Sequence, residues 1–122
     1  MATGCDVADV SIVVHTTVPV KPDERAAALE LVEELLAQSR TEDGTVTYRA
    51  STGVLDPNAV RFFERYEDEA ALAAHQESDA YARFQDVLPD LLDGELETLT
   101  VDADGTVEVV RWNGEEVTRV EP

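Results

Sequence analysis

The chain has 122 residues, enough for one domain with a modest core. Its 27 acidic residues against 9 basic ones give a formal net charge of −18, which sets it against nucleic-acid phosphates and anionic membranes alike. No apolar run approaches the roughly 18–20 residues a membrane span needs, and the opening "MATGCDVADV" lacks a basic segment followed by an apolar one.

With one cysteine, Cys5, no intrachain disulfide can form, and the cytosol is the expected compartment. Cys5 is expected in a flexible N-terminal tail over residues 1–8. The basic residues are eight arginines and one lysine, Lys21. The acids recur in nearly every expected element rather than in a tail, and regular apolar patterning runs through them. A solvated acidic surface of this kind suits concentrated salt, where screening shortens the reach of self-repulsion to ~3 Å at 1 M. The expectation is a halophilic, archaeal, cytoplasmic protein; the competing account is an acidic protein that binds cations or a basic partner.

Residues 9–18, "DVSIVVHTTV", read as a strand. Pro22, Asp23 and Glu24 suit a helix start. Ala28, Leu29, Val32, Leu35 and Leu36 then form one stripe of a helix over 22–39, which "TEDG" ends at Gly44. "TVTYRAS" (45–51) is a second strand, "LDPN" (55–58) a turn, and "VRFFERYE" (60–67) a third strand. Asp68 and Ser78 read as N-caps of two successive helices. The first runs to about Gln76. The second carries Tyr81, Phe84, Leu88 and Leu91 on one face, is interrupted by Pro89, and closes at Gly94. "ELETLTV" (95–101) is a fourth strand, and "DADG" (102–105) a tight turn. Asn113–Gly114 lies between two β-type runs and predicts a two-residue hairpin turn. In that register Trp112 faces Glu115, Arg111 faces Glu116, Val110 faces Val117 and Glu108 faces Arg119.

The order is β-α-β-β-α-β, so the predicted fold is α+β, a ferredoxin-like split βαβ arrangement. One domain is expected over 9–101, with 102–122 as its C-terminal β-hairpin extension. Two helices cover one sheet face, and a homodimer packing sheet on sheet would cover the other.

The stretch "FFERYEDEAALAAHQESDAY" resembles the antibiotic biosynthesis monooxygenase (ABM-type) family of dimeric α+β barrels. The pattern reads Glu64, Tyr66 and Asp68 on and after the third strand, then Ala71, Leu72 and His75, then Ser78 and Tyr81. "DPNAVRFFERY" and "VKPDERAAALELVEELLAQSRTEDGTVTYRA" are similar to the family's second-to-third strand connection and to its first helix and second strand. The likeness covers 9–101.

The resemblance implies a cofactor-independent monooxygenase acting on a small aromatic or quinol. A base deprotonates the substrate, and the electron-rich anion reacts with oxygen in a dry pocket. His75 is the candidate base and Tyr66 a candidate phenolic donor beside it. Phe62, Glu64, Tyr81, Phe84 and His15 are candidate substrate-binding residues. Packing is the competing account for each, with Phe62, Phe63, Tyr81 and Phe84 expected in the core and Trp112 on a hairpin or dimer surface. No cofactor is implied, and no cluster at metal spacing is visible.

One departure stands out. Many quinol-monooxygenase-like members read His-x-x-Ser-x-His, and this chain has Ala80 at the second histidine. Haem-degrading relatives carry a ligating histidine near the position of Gln85, which discounts haem. The alternative is therefore a non-catalytic small-molecule-binding or stress-response protein on the same scaffold.

Overall fold

A computed structural model describes residues 11–121; the tail expected over 1–8, with Cys5, lies outside the described residues. The elements are β1 (Ile12–Pro19), a 3-10 turn (Pro22–Glu24), α1 (Arg25–Ser39), β2 (Thr45–Thr52), β3 (Ala59–Tyr66), α2 (Glu69–Gln76), α3 (Asp79–Leu91), β4 (Leu96–Asp102), β5 (Val107–Trp112) and β6 (Val117–Val120). They form one antiparallel sheet in the order β2-β3-β1-β4-β5-β6. The first four strands make the expected ferredoxin-like core, and the last two extend it beyond β4.

Local chemistry sets the boundaries. Pro22 opens a 3-10 turn before α1 instead of starting the helix itself. Asp68 caps α2 by accepting from the Ala71 amide at 2.8 Å, and Ser78 caps α3 by accepting from the Tyr81 amide at 3.2 Å. Helix α3 runs through Pro89 to Leu91 rather than restarting there. The 55–58 turn is closed by Asp56, whose side chain accepts from the Asn58 amide at 3.0 Å.

Strand alternation divides the sheet into two unlike faces. Even-numbered residues of β1 and β3, including Ile12, Val14, Val18, Phe62 and Tyr66, are buried under the helices. There Val18 and Phe62 join Val32 and Leu35 from α1 and Phe84, Leu88 and Leu91 from α3, while Ile12, Val14 and Tyr66 form a second cluster with Ala71 of α2. At about 1.5–3 kcal/mol for each buried aliphatic or aromatic side chain, this layer is the main source of stability.

Among the described residues, no helix covers the odd-numbered face. Register places Val13, His15, Phe63, Leu99 and Val109 there, with Arg49, Arg61, Arg65 and Arg111 among them. Phe63, expected in the core, is 36% exposed on this face, because it alternates with the buried Phe62 and Glu64.

The hairpin differs from its predicted register by two residues. Trp112 pairs with Val117, Arg111 with Thr118, Val110 with Arg119 and Val109 with Val120. The connection is a four-residue loop, because the Asn113 side chain accepts from the amides of both Glu115 and Glu116 at 2.8 Å. The Asn113 backbone amide also donates to the Glu116 carbonyl at 3.3 Å, so side chain and backbone close the loop together. A shift of two keeps every side chain on its face. Arg119 still meets Glu108, now on the diagonal, while Arg111 pairs instead with Glu97 of β4 at 3.0 Å.

Candidate functional site

Between the helices and the even face lies a cavity of about 420 Å³. Its volume falls within the usual range for small-molecule sites. Its walls are mainly aromatic and aliphatic: Tyr48, Phe62, Tyr81, Phe84 and Trp112, with Val14, Val18, Leu35, Leu72, Leu88 and Leu96. The polar lining consists of Thr16, Thr98, Thr100, Glu64, His75, Gln76 and Gln85, and none of the lining side chains is a lysine or arginine.

His75 projects inward from the last turn of α2 and is 1% exposed. Tyr48, Tyr81 and Tyr66 surround the imidazole, with ring centroids at 5.0, 5.1 and 5.8 Å. Nδ1 lies 3.0 Å from Glu42 Oε1 and 3.3 Å from Ser39 Oγ. A carboxylate only accepts, so the Nδ1 proton points at Glu42 and the lone pair is on Nε2. Nε2 has no hydrogen-bond partner among the described residues, and neither has the second oxygen of Glu42. Burial pushes the imidazole pKa down, and the Glu42 hydrogen bond and charge work against that. The group is therefore kept neutral, with its free nitrogen suited to accepting a proton.

Glu64 is the second titratable group on the wall. It is 7% exposed and accepts the Tyr66 hydroxyl proton at 2.6 Å. Burial raises its pKa to about 7; the bond from Tyr66 opposes the rise, and the charge of Glu42 adds to it. Glu64 is thus able to exchange a proton near neutral pH, while His75 is held in its neutral form.

His75, Phe62, Glu64, Tyr81 and Phe84 all line the cavity. Tyr66 does not: it is fully buried behind the wall with its hydroxyl committed to Glu64, so it bears on the cavity through that carboxylate and through its ring beside His75. Burial beside Glu64 holds its phenol well above the usual range. His15 lies on the opposite face, paired with Phe63 and Leu99, and cannot reach the cavity. The same alternation that buries Val14 points His15 away. Trp112, expected on a surface, lines the cavity instead. Ser39 and Glu42 were not among the expected residues; they stand 36 and 33 positions from His75 in the chain.

Among the described residues, no group of three or more His, Cys, Asp or Glu side chains could hold a metal ion. Nor is any helix long and apolar enough to cross a membrane.

The sheet with helices on one face defines a small α+β fold, and comparison places the chain in a family. Residues 11–87 match the antibiotic biosynthesis monooxygenase family model, and the chain belongs to that family. It is 33% identical over 85 residues to sll1783, an uncharacterized protein of Synechocystis sp., covering 70% of this chain and 58% of the relative. The chain thus spans less than two thirds of that relative's length. It is 32% identical over 73 residues to YcnE of Bacillus subtilis, a candidate monooxygenase, covering 60% of this chain and 77% of YcnE.

Solved structures agree in fold. A conserved protein from Methanosarcina mazei superposes with a TM-score of 0.72 at 24% identity, over 78% of this chain and 94% of its own. A crystal structure of an antibiotic biosynthesis monooxygenase gives 0.71 at 24% identity, over 75% and 97%.

Proposed function

We propose that the protein is a cofactor-independent monooxygenase of a small neutral phenol or quinol. The observation that carries this reading is the cavity itself: aromatic walls, a neutral imidazole with one free nitrogen, and a buried carboxyl beside it. His75 Nε2 takes the proton of the substrate hydroxyl, and Glu42 holds the ring in the required tautomer. Glu64, braced by Tyr66, hydrogen-bonds a substrate oxygen.

The phenolate gives an electron to dioxygen, and the oxygen adds at a ring carbon bearing hydrogen to form a peroxide. The peroxide receives the proton held by His75. The O–O bond breaks as the ring carbon loses its own proton; one oxygen stays as a carbonyl, and the other leaves as water. The substrate supplies all four electrons, so a phenol plus O2 gives a quinone plus H2O.

The test is oxygen uptake with 2-methyl-1,4-naphthohydroquinone in molar salt, corrected for autoxidation. His75→Ala should lower the enzymatic rate about 10²–10⁴-fold, the usual contribution of a general base. Unchanged turnover would remove the base role.

The buried Ala80 at the second-histidine position favours a second reading, a non-catalytic binder of the same ligands. Under that reading quinones bind and no oxygen is consumed.

For assembly, the uncovered face supports a homodimer with a second copy seated on Val13, Phe63 and Leu99, in a salt-rich cytoplasm. The formal charge of −18 on each subunit opposes this pairing, so the dimer should hold in molar salt and loosen as salt is removed. Light scattering giving the same mass at both salt levels would refute the salt dependence.

A further inference from the structure

The family match ends at residue 87, yet two of the cavity's lining residues come from beyond β4. Trp112 is half-buried at the end of β5, packs against the main core, and pairs with Leu96 on one side and Val117 on the other. Val117 also lines the cavity while remaining 63% exposed, which puts it at the rim. The loop between them leans on the far end of α3. A Cβ built on Gly114 would lie 3.8 Å from Pro89 and 3.9 Å from Leu92, an ordinary packing distance. The C-terminal hairpin is therefore bent toward the helices and stands as a side wall where an unextended four-stranded sheet would end.

We infer that this hairpin is the specificity element of the site: Trp112 forms the flat wall against which a ring system stacks, and Trp112 with Val117 sets how many fused rings the cavity admits. Indole is the largest side chain available for such a wall and prefers offset stacking on another ring. The choice of quinones as probes rests on the function proposed above.

The chain has one tryptophan, so its fluorescence reports this wall directly. The experiment titrates the full-length protein in molar salt with 2,3-dimethyl-1,4-naphthoquinone, a two-ring probe without a free ring position for thiol addition, and with three-ring 9,10-anthraquinone. Equilibrium dialysis supplies Kd independently of fluorescence. In the wild-type protein the two-ring probe should bind and quench Trp112. In Trp112→Ala the ratio of the two Kd values should shift about tenfold toward the three-ring probe, the scale expected when a stacking wall is removed and the space opened. Trp112→Phe keeps a smaller ring in place and should shift the ratio in the same direction by less. It also serves if the alanine variant fails to fold. Binding by dialysis without quenching, or a ratio unchanged in both variants, would overturn the inference and leave the proposed function standing. Failure of both probes to bind the wild-type protein would overturn both.

Discussion

Replacing Glu64 by Gln measures what it costs to keep a carboxylate under the helices. Burial raises the Glu64 pKa from 4.5 to about 7, which at ~1.4 kcal/mol per pH unit corresponds to ~3 kcal/mol. The folded chain holds this proton more tightly than the unfolded chain. The associated stability is therefore fully present below about pH 4.5 and is lost as pH rises to about 7. Glutamine keeps the shape and can still accept from the Tyr66 hydroxyl, but carries no charge at any pH. Glu64→Gln should thus be more stable than wild type by ~3 kcal/mol at pH 8 and by less than ~1 kcal/mol at pH 5. His75 titrates in both proteins and cancels in the difference. The assay is urea unfolding in molar salt at equal protomer concentration, followed by Trp112 fluorescence from pH 5 to pH 8. A stability difference that stays flat across this range, or favours wild type at pH 8, would refute the assignment of a buried, charge-strained carboxyl.

Three further outcomes follow from the geometry. Glu42→Ala strips the carboxylate acceptor from His75 Nδ1, leaving only Ser39 Oγ at 3.3 Å, and should cost ~1–3 kcal/mol of stability in equilibrium unfolding. The imidazole pKa, followed by NMR, should also fall further, since Glu42 is what raises it against burial. Gly44→Ala should cost ~1–3 kcal/mol in thermal or urea unfolding, because Gly44 has φ +84° and an added Cβ would lie 2.6 Å from that of Ala71. Asp68→Ala removes the α2 cap and should cost ~1 kcal/mol, with Asp68→Asn restoring most of it; equal losses in both would show that the capping bond contributes nothing.

The fold was legible because its signals are local. Val14 and Val18, or Phe62 and Tyr66, alternate within one strand, and Asp68 and Ser78 announce their helices within three residues. The site was legible only where a helix or strand fixed a side chain's direction, as for His75, Glu64 and Phe84. Strand parity also separates His15 from the site, since it alternates with the inward-facing Val14. Glu42 and Ser39 were hidden, since their pairing with His75 depends on how the end of α1 docks against α2, and no periodicity encodes that docking. The hairpin register slipped because Asn-Gly signals a tight turn, while the amide side chain of Asn113 has several ways of closing one. Trp112, expected on a surface, lines the cavity for a related reason: alternation gives its face, but only the lean of the loop onto Pro89 brings it to the cavity.

The uncovered sheet face has an electrical consequence. It gathers four of the chain's nine basic residues, Arg49, Arg61, Arg65 and Arg111, with Glu97 the one acidic residue among its paired strand positions. The surplus of negative charge is displaced to the helices, loops and sheet edges. Such a distribution separates positive from negative charge across the sheet. Cations drawn to its acidic side would leave the arginine face as the least hydrated and least ion-coated approach. At low salt, encounters between molecules would then be oriented rather than random; at 1 M salt, screening over ~3 Å removes the effect.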